Sequence, residues 1–194
     1  MNNVIGPEEL KQLPFLSGEN VDAPDIPFAK NVLAEYTNTH ILIFTPRIQW
    51  ITLNGLREKF GIDPAQKEPC MYNQDWYLKE EFANLSLDGR WHLLRKNVLE
   101  DTRARRPEEI EASLIGEGFP NAVTAAFTFF AWWHLKNEML WRHDFLWCSD
   151  RDHNGDRIYV GRYEDPTGIN KNGFNIHRYL TLGNTFSVAP EIVH

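Results

Sequence analysis

The Asn154-Gly155 dipeptide lies between two short runs of β-forming residues, at positions 145–149 and 157–163. Asn-Gly is the strongest short-range signal for a β-hairpin, because both residues tolerate the positive φ angles of a tight turn. Two further runs, at 174–180 and 186–189, alternate apolar with polar residues, as strands of a half-buried antiparallel sheet do. The sequence therefore predicts a β-rich, antiparallel region over residues 143–193, organised around a tight hairpin.

Two helices and a strand are predicted before this region. Residues 120–135 are apolar on nearly all sides, which indicates a central buried helix. Pro107 and the two glutamates after it open another helix, because proline suits the first turn and acidic side chains favour the positive end of the helix dipole. Residues 91–96 follow an Asp-Gly turn and predict a strand, and residues 75–82 predict a helix with an aromatic face.

The N-terminal third of the chain has a different pattern. Its prolines predict short helices over residues 7–13 and 27–36. Residues 40–45 are β-formers and predict a strand, after which Thr52 begins a helix-capping pattern that leads to Gly61. These elements predict a small α/β portion at the N-terminus.

Composition limits the classes of function that fit. A formal net charge of −7 argues against nucleic-acid binding, because a phosphate backbone would be repelled without a dense basic patch. The N-terminus lacks the basic and apolar regions of a signal peptide, and the longest apolar run is too short to span a membrane. We therefore expect a soluble protein with no membrane span, cytoplasmic unless export uses another route. Cys70 and Cys148 form no metal or disulfide pattern, so two separate reduced thiols are predicted.

The hairpin tip partly matches a calcium-binding loop. Asp150, Asp152 and Asn154 supply oxygen ligands at positions 1, 3 and 5, and glycine follows at position 6. Position 12 is Gly161, where a bidentate glutamate is required. A plain hairpin tip is the preferred interpretation, with Ca²⁺ as a weaker candidate cofactor and no other cofactor expected.

A second group of polar residues follows the hairpin. Its members are Asn170, Asn172, Asn175, His177, Arg178 and Tyr179. Such side chains adapt to hydrogen bonding and stacking, as they do in binding loops. A solvated sheet face is the alternative. Together with Asp150 and Asp152 they are the candidate ligand-binding residues, and no catalytic residue is predicted.

Three segments, at 73–82, 90–96 and 154–163, resemble a family of bacterial proteins common in candidate-phyla bacteria with small genomes. The family has an Asp-Trp-Tyr…Phe segment, a Gly-Trp-x-Leu-x-x-Lys strand and a Ser-Asp-Gly-x-x-Val-x-Val-Gly-x-Phe block. Its members resemble the variable proteins of diversity-generating retroelements, which have a C-type-lectin-like fold that formylglycine-generating enzymes share. The chain departs from their usual closing strand, with Phe-Ser-Val-Ala-Pro-Glu at 186–191.

The resemblance implies a C-type-lectin-like domain over residues 71–194, with an antiparallel sheet and two packed helices, after an N-terminal portion over residues 1–70. It implies a non-catalytic display protein that binds a protein or glycan through residues 170–179, with the hairpin tip beside them. One alternative is an oxidase of the formylglycine-generating kind, whose chemistry needs two neighbouring cysteines late in the fold, where this chain has Cys148 alone. Another is a phage-derived structural or assembly protein. The sequence gives no oligomeric state.

Overall fold

Two β-sheets and five α-helices make up the computed structural model, which describes residues 3–165, 167 and 172–193. The helices are α1 (Pro7–Leu10), α2 (Lys30–Tyr36), α3 (Leu53–Phe60), α4 (Pro107–Ser113) and α5 (Ala122–Lys136). The strands are β1 (Val4–Ile5), β2 (His40–Phe44), β3 (Trp91–Arg95), β4 (Glu117–Gly118), β5 (Phe145–Arg151), β6 (Arg157–Tyr163), β7 (Gly173–Arg178), β8 (Phe186–Ser187) and β9 (Glu191–Ile192). Short 3-10 helices lie at Pro14–Leu16, Glu81–Asn84 and Glu100–Thr102. This content confirms the α+β class.

The first sheet has the strand order β1-β2-β3-β9-β4. All five residues of β2 are buried, and β2 pairs antiparallel with β3 along its whole length. The last strand, β9, lies between β3 and β4 and is antiparallel to both. Strands from either side of residue 70 therefore share one sheet, and the division of the chain at that residue stays a prediction.

The second sheet has the order β7-β6-β5-β8 and contains the four predicted C-terminal strands. Strands β5, β6 and β7 are antiparallel to their neighbours, as predicted. The prediction of a wholly antiparallel region is wrong for β8, which pairs parallel with β5. The reason is the segment 179–185, which leaves β7 at one edge of the sheet and returns the chain to the start of β5 at the other edge.

The hairpin between β5 and β6 is wider than a two-residue turn. Arg151 pairs with Arg157, so residues 152–156 form a five-residue loop. Gly155 has a φ of +85°, whereas Asn154 is not among the residues with positive φ. The predicted position of the hairpin is confirmed, but glycine alone provides the left-handed conformation.

Local signals place the longer helices. The Thr52 side chain accepts a hydrogen bond from the Gly55 amide and caps α3, as predicted. Helix α5 is buried from Ala122 to Trp132, which confirms the central buried helix. The predicted helix over residues 75–82 is wrong, because turns and the 3-10 helix Glu81–Asn84 occupy this stretch. Tertiary contacts override helix propensity there, since Trp76 Nε1 donates to the Ile176 carbonyl of β7 at 3.0 Å.

The sheets and α5 enclose one large apolar core that extends from Ile5 to Ala189. Phe129 of α5 packs on Phe174 of β7, with ring centroids 4.9 Å apart. A smaller cluster covers the other face of the second sheet and includes Trp147 and Tyr159. Within the described residues, no helix is long and apolar enough to cross a membrane.

Candidate functional site

The predicted ligand-binding residues are divided between the two ends of β7. Asn172 precedes this strand and accepts a hydrogen bond from the Asp165 amide at 2.8 Å. Arg178 and Tyr179 lie at the other end, and a strand of this length spans roughly 20 Å. Asn170 lies outside the described residues. The candidates therefore do not form one continuous patch.

Two of these candidates have structural partners that cover them. Asn175 is almost fully buried, and its Oδ1 atom accepts from Gln74 Nε2 at 2.6 Å. The Tyr179 ring packs edge-on against Trp147, with centroids 5.2 Å apart. His177 stacks on the Tyr159 ring at 5.4 Å, and its ring centroid lies 6.1 Å from that of Trp76. Of the β7 candidates, His177 and Arg178 thus remain at the surface near the hairpin.

A cleft of about 450 Å³ lies at this hairpin end. We call it the hairpin cleft, and its lining residues are Lys79, Glu80, Glu81, Arg151, Asp152 and His153. One wall is the β5–β6 loop, and the other is the segment at the start of the 3-10 helix Glu81–Asn84. The cleft therefore joins the predicted hairpin tip to a stretch of sequence some seventy residues earlier.

The central pair of the hairpin cleft is Glu80 with His153. Glu80 Oε1 lies 2.6 Å from His153 Nδ1, and Oε2 accepts from the His153 amide at 3.0 Å. The side chain of Glu80 is only 9% exposed, whereas that of His153 is 66% exposed. A buried carboxylate thus fixes the orientation of an exposed imidazole. Since Nδ1 faces Glu80, Nε2 is the ring nitrogen left to contact a ligand.

A second carboxylate, Asp152, organises the hairpin and Arg178. Its Oδ1 atom accepts from the amides of Asn154 and Asp156, each at 2.9 Å, and its Oδ2 atom lies 3.4 Å from Arg178 Nη1. Burial alone would raise the pKa of Asp152, but the two amides and the guanidinium together lower it below its ordinary value. Arg178 in turn lies over the Trp76 ring, 5.6 Å from its centroid.

The calcium candidates serve other purposes in this structure. Asp150 Oδ2 accepts from the Ala122 amide at 2.6 Å at the start of α5, and burial raises the pKa of Asp150. Asp152 binds the hairpin amides, and the Asn154 amide is one of them. No group of three or more His, Cys, Asp or Glu side chains suited to a metal ion occurs among the described residues. The geometry therefore gives the calcium hypothesis no support.

A separate polar centre lies in the first sheet around His92, which is 1% exposed. Its Nδ1 atom lies 2.6 Å from Glu191 Oε2, and its Nε2 atom lies 3.1 Å from Asp88 Oδ1 and 3.2 Å from Thr45 Oγ1. Burial opposes the charged imidazole, but the hydrogen bonds and charges of Asp88 and Glu191 raise the pKa of His92. Burial likewise opposes ionisation of Asp88, yet His92, Thr45 and Arg90 lower its pKa strongly.

The Thr45–His92–Glu191 arrangement resembles a nucleophile–base–carboxylate triad in its distances, but not in its chemistry. A base needs a free lone pair on the imidazole, and here both ring nitrogens face carboxylates. Thr45 is fully buried, and its hydroxyl donates to Asp88 Oδ1 at 2.9 Å. This centre therefore has a structural role.

Sequence reasoning missed Glu80, Lys79, Trp76 and the His92 centre. The paired residues are far apart along the chain, with a sequence separation of 73 for Glu80 and His153 and of 99 for His92 and Glu191. No local spacing rule links such pairs. Comparison of the chain with protein-family models, curated protein sequences and solved structures gave no match.

Proposed function

We propose that this protein is a non-catalytic ligand-binding protein whose ligand binds in the hairpin cleft. The proposal rests on one observation: buried carboxylates fix the orientation of two more exposed nitrogen-bearing side chains, those of His153 and Arg178. Glu80 holds His153, and the fully buried side chain of Asp152 holds Arg178, which is 35% exposed. Side chains fixed in this way lose little rotational freedom on binding, so more of the contact energy remains as affinity.

The aromatic residues around Arg178 indicate the kind of ligand. The Trp76 ring lies under Arg178 and beside His177, so aromatic side chains adjoin the polar residues of the site. A ligand that combines hydrogen-bonding groups with one apolar face matches this surface, because ring faces pack on apolar groups while charged groups bind polar ones. A sugar ring and a peptide segment both have this character. We therefore propose a glycan or a protein as the ligand.

The finer proposal is a C-type-lectin-like display protein. It is supported by the resemblance of residues 73–82, 90–96 and 154–163. It is also supported by the packing of α5 against the antiparallel strands β5 and β6, and of Phe129 on Phe174 of β7. In such proteins the C-terminal segment forms the ligand surface, and here Arg178 at the end of β7 pairs with the cleft residue Asp152. Fold-level analogy alone does not define a ligand, so the support for binding comes from the cleft residues.

Arrays of immobilised glycans and of peptides test this proposal. The labelled protein is compared with the double variant His153→Ala and Arg178→Gln, and with Arg142→Gln as a matched control. Arg142 is exposed and binds Glu164, outside the cleft. We expect binding to a defined set of glycans or peptides, lost in the double variant and kept in the control. Absence of binding on both arrays, or equal binding by all three proteins, would contradict the proposal.

The oxidase alternative gains no support from the cysteines. Cys70 and Cys148 are both buried and free, as predicted from their spacing. Burial raises the pKa of Cys70 to about 12 and raises that of Cys148 well above its ordinary value. Thiolates are the reactive and metal-binding form, so both thiols are poorly suited to copper chemistry. Copper-dependent oxidation of a thiol substrate by the purified protein would favour this alternative.

The assembly alternative makes a different prediction. A structural component would use the same face to contact copies of itself, so a stable homo-oligomer should form through the end of β7. Size-exclusion chromatography with light scattering distinguishes the two. A monomer favours ligand display, and an oligomer that Arg178→Gln dissociates favours assembly.

A further inference from the structure

The C-terminal strand β9 has few backbone contacts for a strand in the middle of a sheet. It contains two residues, and only Glu191 is paired with β3, opposite Leu94. On its other side β9 pairs with β4, which is also only two residues long. Backbone pairing therefore attaches β9 to β3 at one register position, beside one further hydrogen bond from the Arg95 amide to the Pro190 carbonyl at 2.9 Å.

The side chain of Glu191 adds a stronger attachment at the same point. Its carboxylate is 13% exposed and lies 2.6 Å from Nδ1 of the buried His92. The opposite ring nitrogen, Nε2, faces Asp88. A carboxylate accepts hydrogen bonds and cannot donate them when ionised, so an imidazole between two carboxylates must carry a proton on each nitrogen. With both carboxylates ionised, the geometry therefore favours imidazolium, whose charge strengthens both bonds.

The remaining charged groups around His92 balance the two carboxylates. Arg90 contacts Asp88 and approaches Glu191, with Nη2 3.9 Å from Oε1. Two cations thus face two carboxylates at this end of β3. On β4, which lies next to β9, Glu117 interacts with Arg95 at the other end of β3. Thr45, just beyond the end of β2, also contacts His92, and its side chain is uncharged.

We infer that protonated His92 is a latch that fastens β9, and β4 with it, to β3, and that loss of this proton opens the sheet edge at alkaline pH. Once the proton leaves to solvent, one ring nitrogen presents a lone pair to a carboxylate, and a buried carboxylate loses its donor. That arrangement is costly in a dry site. Release of β9 moves Glu191 into water and exposes the β3 edge, where another extended segment can pair.

A cavity beside the latch gives solvent a path to it. The cavity has a volume of about 130 Å³ and is lined by His92, Glu191 and Arg90, with apolar walls from Phe28 and Trp91. The imidazole itself is 1% exposed, so release of its proton requires only a small local opening towards this cavity.

Hydrogen exchange measured by mass spectrometry tests the latch. Protection of the amides in residues 91–95 and 188–193 is followed from about pH 6 to about pH 10, after correction for the chemical exchange rate. The latch predicts that their protection falls at least about tenfold across this range, whereas that of α5 is unchanged. Protection that stays constant over the range would overturn the inference.

Variants separate the latch from general pH effects. Glu191→Gln keeps the size of the side chain but removes one counter-charge, and His92→Gln removes the titrating group. Both should lower the protection of 188–193 already at the acidic end. His92→Gln should also abolish its pH dependence, and Glu191→Gln should reduce it. His143→Gln is the matched control, because His143 pairs with Glu164 in an exposed setting. If His92→Gln does not fold, the inference is still tested by Glu191→Gln and by the pH dependence of protection in the wild type. Wild-type protection in Glu191→Gln would also overturn the inference.

Discussion

His40 and His92 lie on the adjacent strands β2 and β3, and their surroundings shift their proton affinities in opposite directions. Burial, helped by the nearby positive charge of Arg95, lowers the pKa of His40 to about 4. His92 is buried too, but its two carboxylate neighbours raise its pKa. In one sheet, therefore, the folded protein favours the neutral form of one histidine and the charged form of another.

The neutral histidine predicts acid sensitivity. Unfolded His40 binds a proton near pH 6.5, whereas the folded residue binds one only near pH 4, so stability is fully present above 6.5 and is lost as pH falls towards 4. The contribution is at most about 3 kcal/mol, from about 1.4 kcal/mol for each unit of pKa. Urea unfolding at several pH values measures it. His40→Phe should flatten the acid limb, and a variant with the wild-type slope would show that another group causes it.

The charged histidine predicts the opposite dependence. The pKa of His92 is higher in the folded state, so its contribution is present below pH 6.5 and is lost as pH rises through the folded pKa. Asp88→Asn removes one of its counter-charges and should destabilise the protein by about 1–3 kcal/mol at neutral pH. NMR titration of the His92 ring should then give a lower pKa than in the wild type. An unchanged ring pKa would contradict this account.

Two glycines offer a matched test of packing. A Cβ at Gly161 of β6 would collide with the carbonyl of Asp144, whereas a Cβ at Gly183 would lie 3.7 Å from the Phe186 ring, in ordinary contact. Gly161→Ala should therefore cost about 1–3 kcal/mol or more, and Gly183→Ala should change stability by less than about 0.5 kcal/mol. Denaturant unfolding compares the two. Equal losses would mean that the β5–β6 region packs differently.

The Asp152 carboxylate supports the hairpin by accepting two amides. Asp152→Ala should destabilise the protein by about 1–2 kcal/mol, because the loop amides lose their acceptor. Thermal unfolding with Ca²⁺ and with a chelator gives the readout. The same melting temperature is expected in both, since Asp150 and Asp152 already bind backbone amides. A rise in melting temperature with Ca²⁺ that Asp152→Ala abolishes would revive the calcium hypothesis.

Local chemistry explains which parts of the fold could be predicted. Thr52 and the apolar run of α5 define their helices through short-range signals, and side-chain alternation defines β5, β6 and β7. The direction of β8 could not be predicted, because it depends on how residues 179–185 cross the sheet. Neither could the turns that replace the predicted helix over 75–82, since they depend on contacts with β7, a hundred residues later.

The candidate site was predictable only in part. The hairpin tip and Arg178 were found from residue type; the tip lines the cleft, and Arg178 pairs with the cleft residue Asp152. The other half of the site, Glu80 with Lys79, lies in a segment whose sequence predicts a helix and contains no site motif. Asn175 and Tyr179 have the composition of binding residues, but packing on Gln74 and Trp147 uses them for structure. Residue type alone does not distinguish a side chain that binds a ligand from one that packs within the structure.

The most direct test of the central claim is NMR mapping of a ligand selected from the glycan or peptide arrays. Backbone and histidine ring signals are recorded as the ligand is added to the isotope-labelled protein. Binding in the hairpin cleft predicts shifts at Glu80, Asp152, His153 and Arg178, with none at Asn172 or His92. Shifts confined to the Asn172 end of β7 or to the His92 latch, with the His153 ring unchanged, would contradict the account.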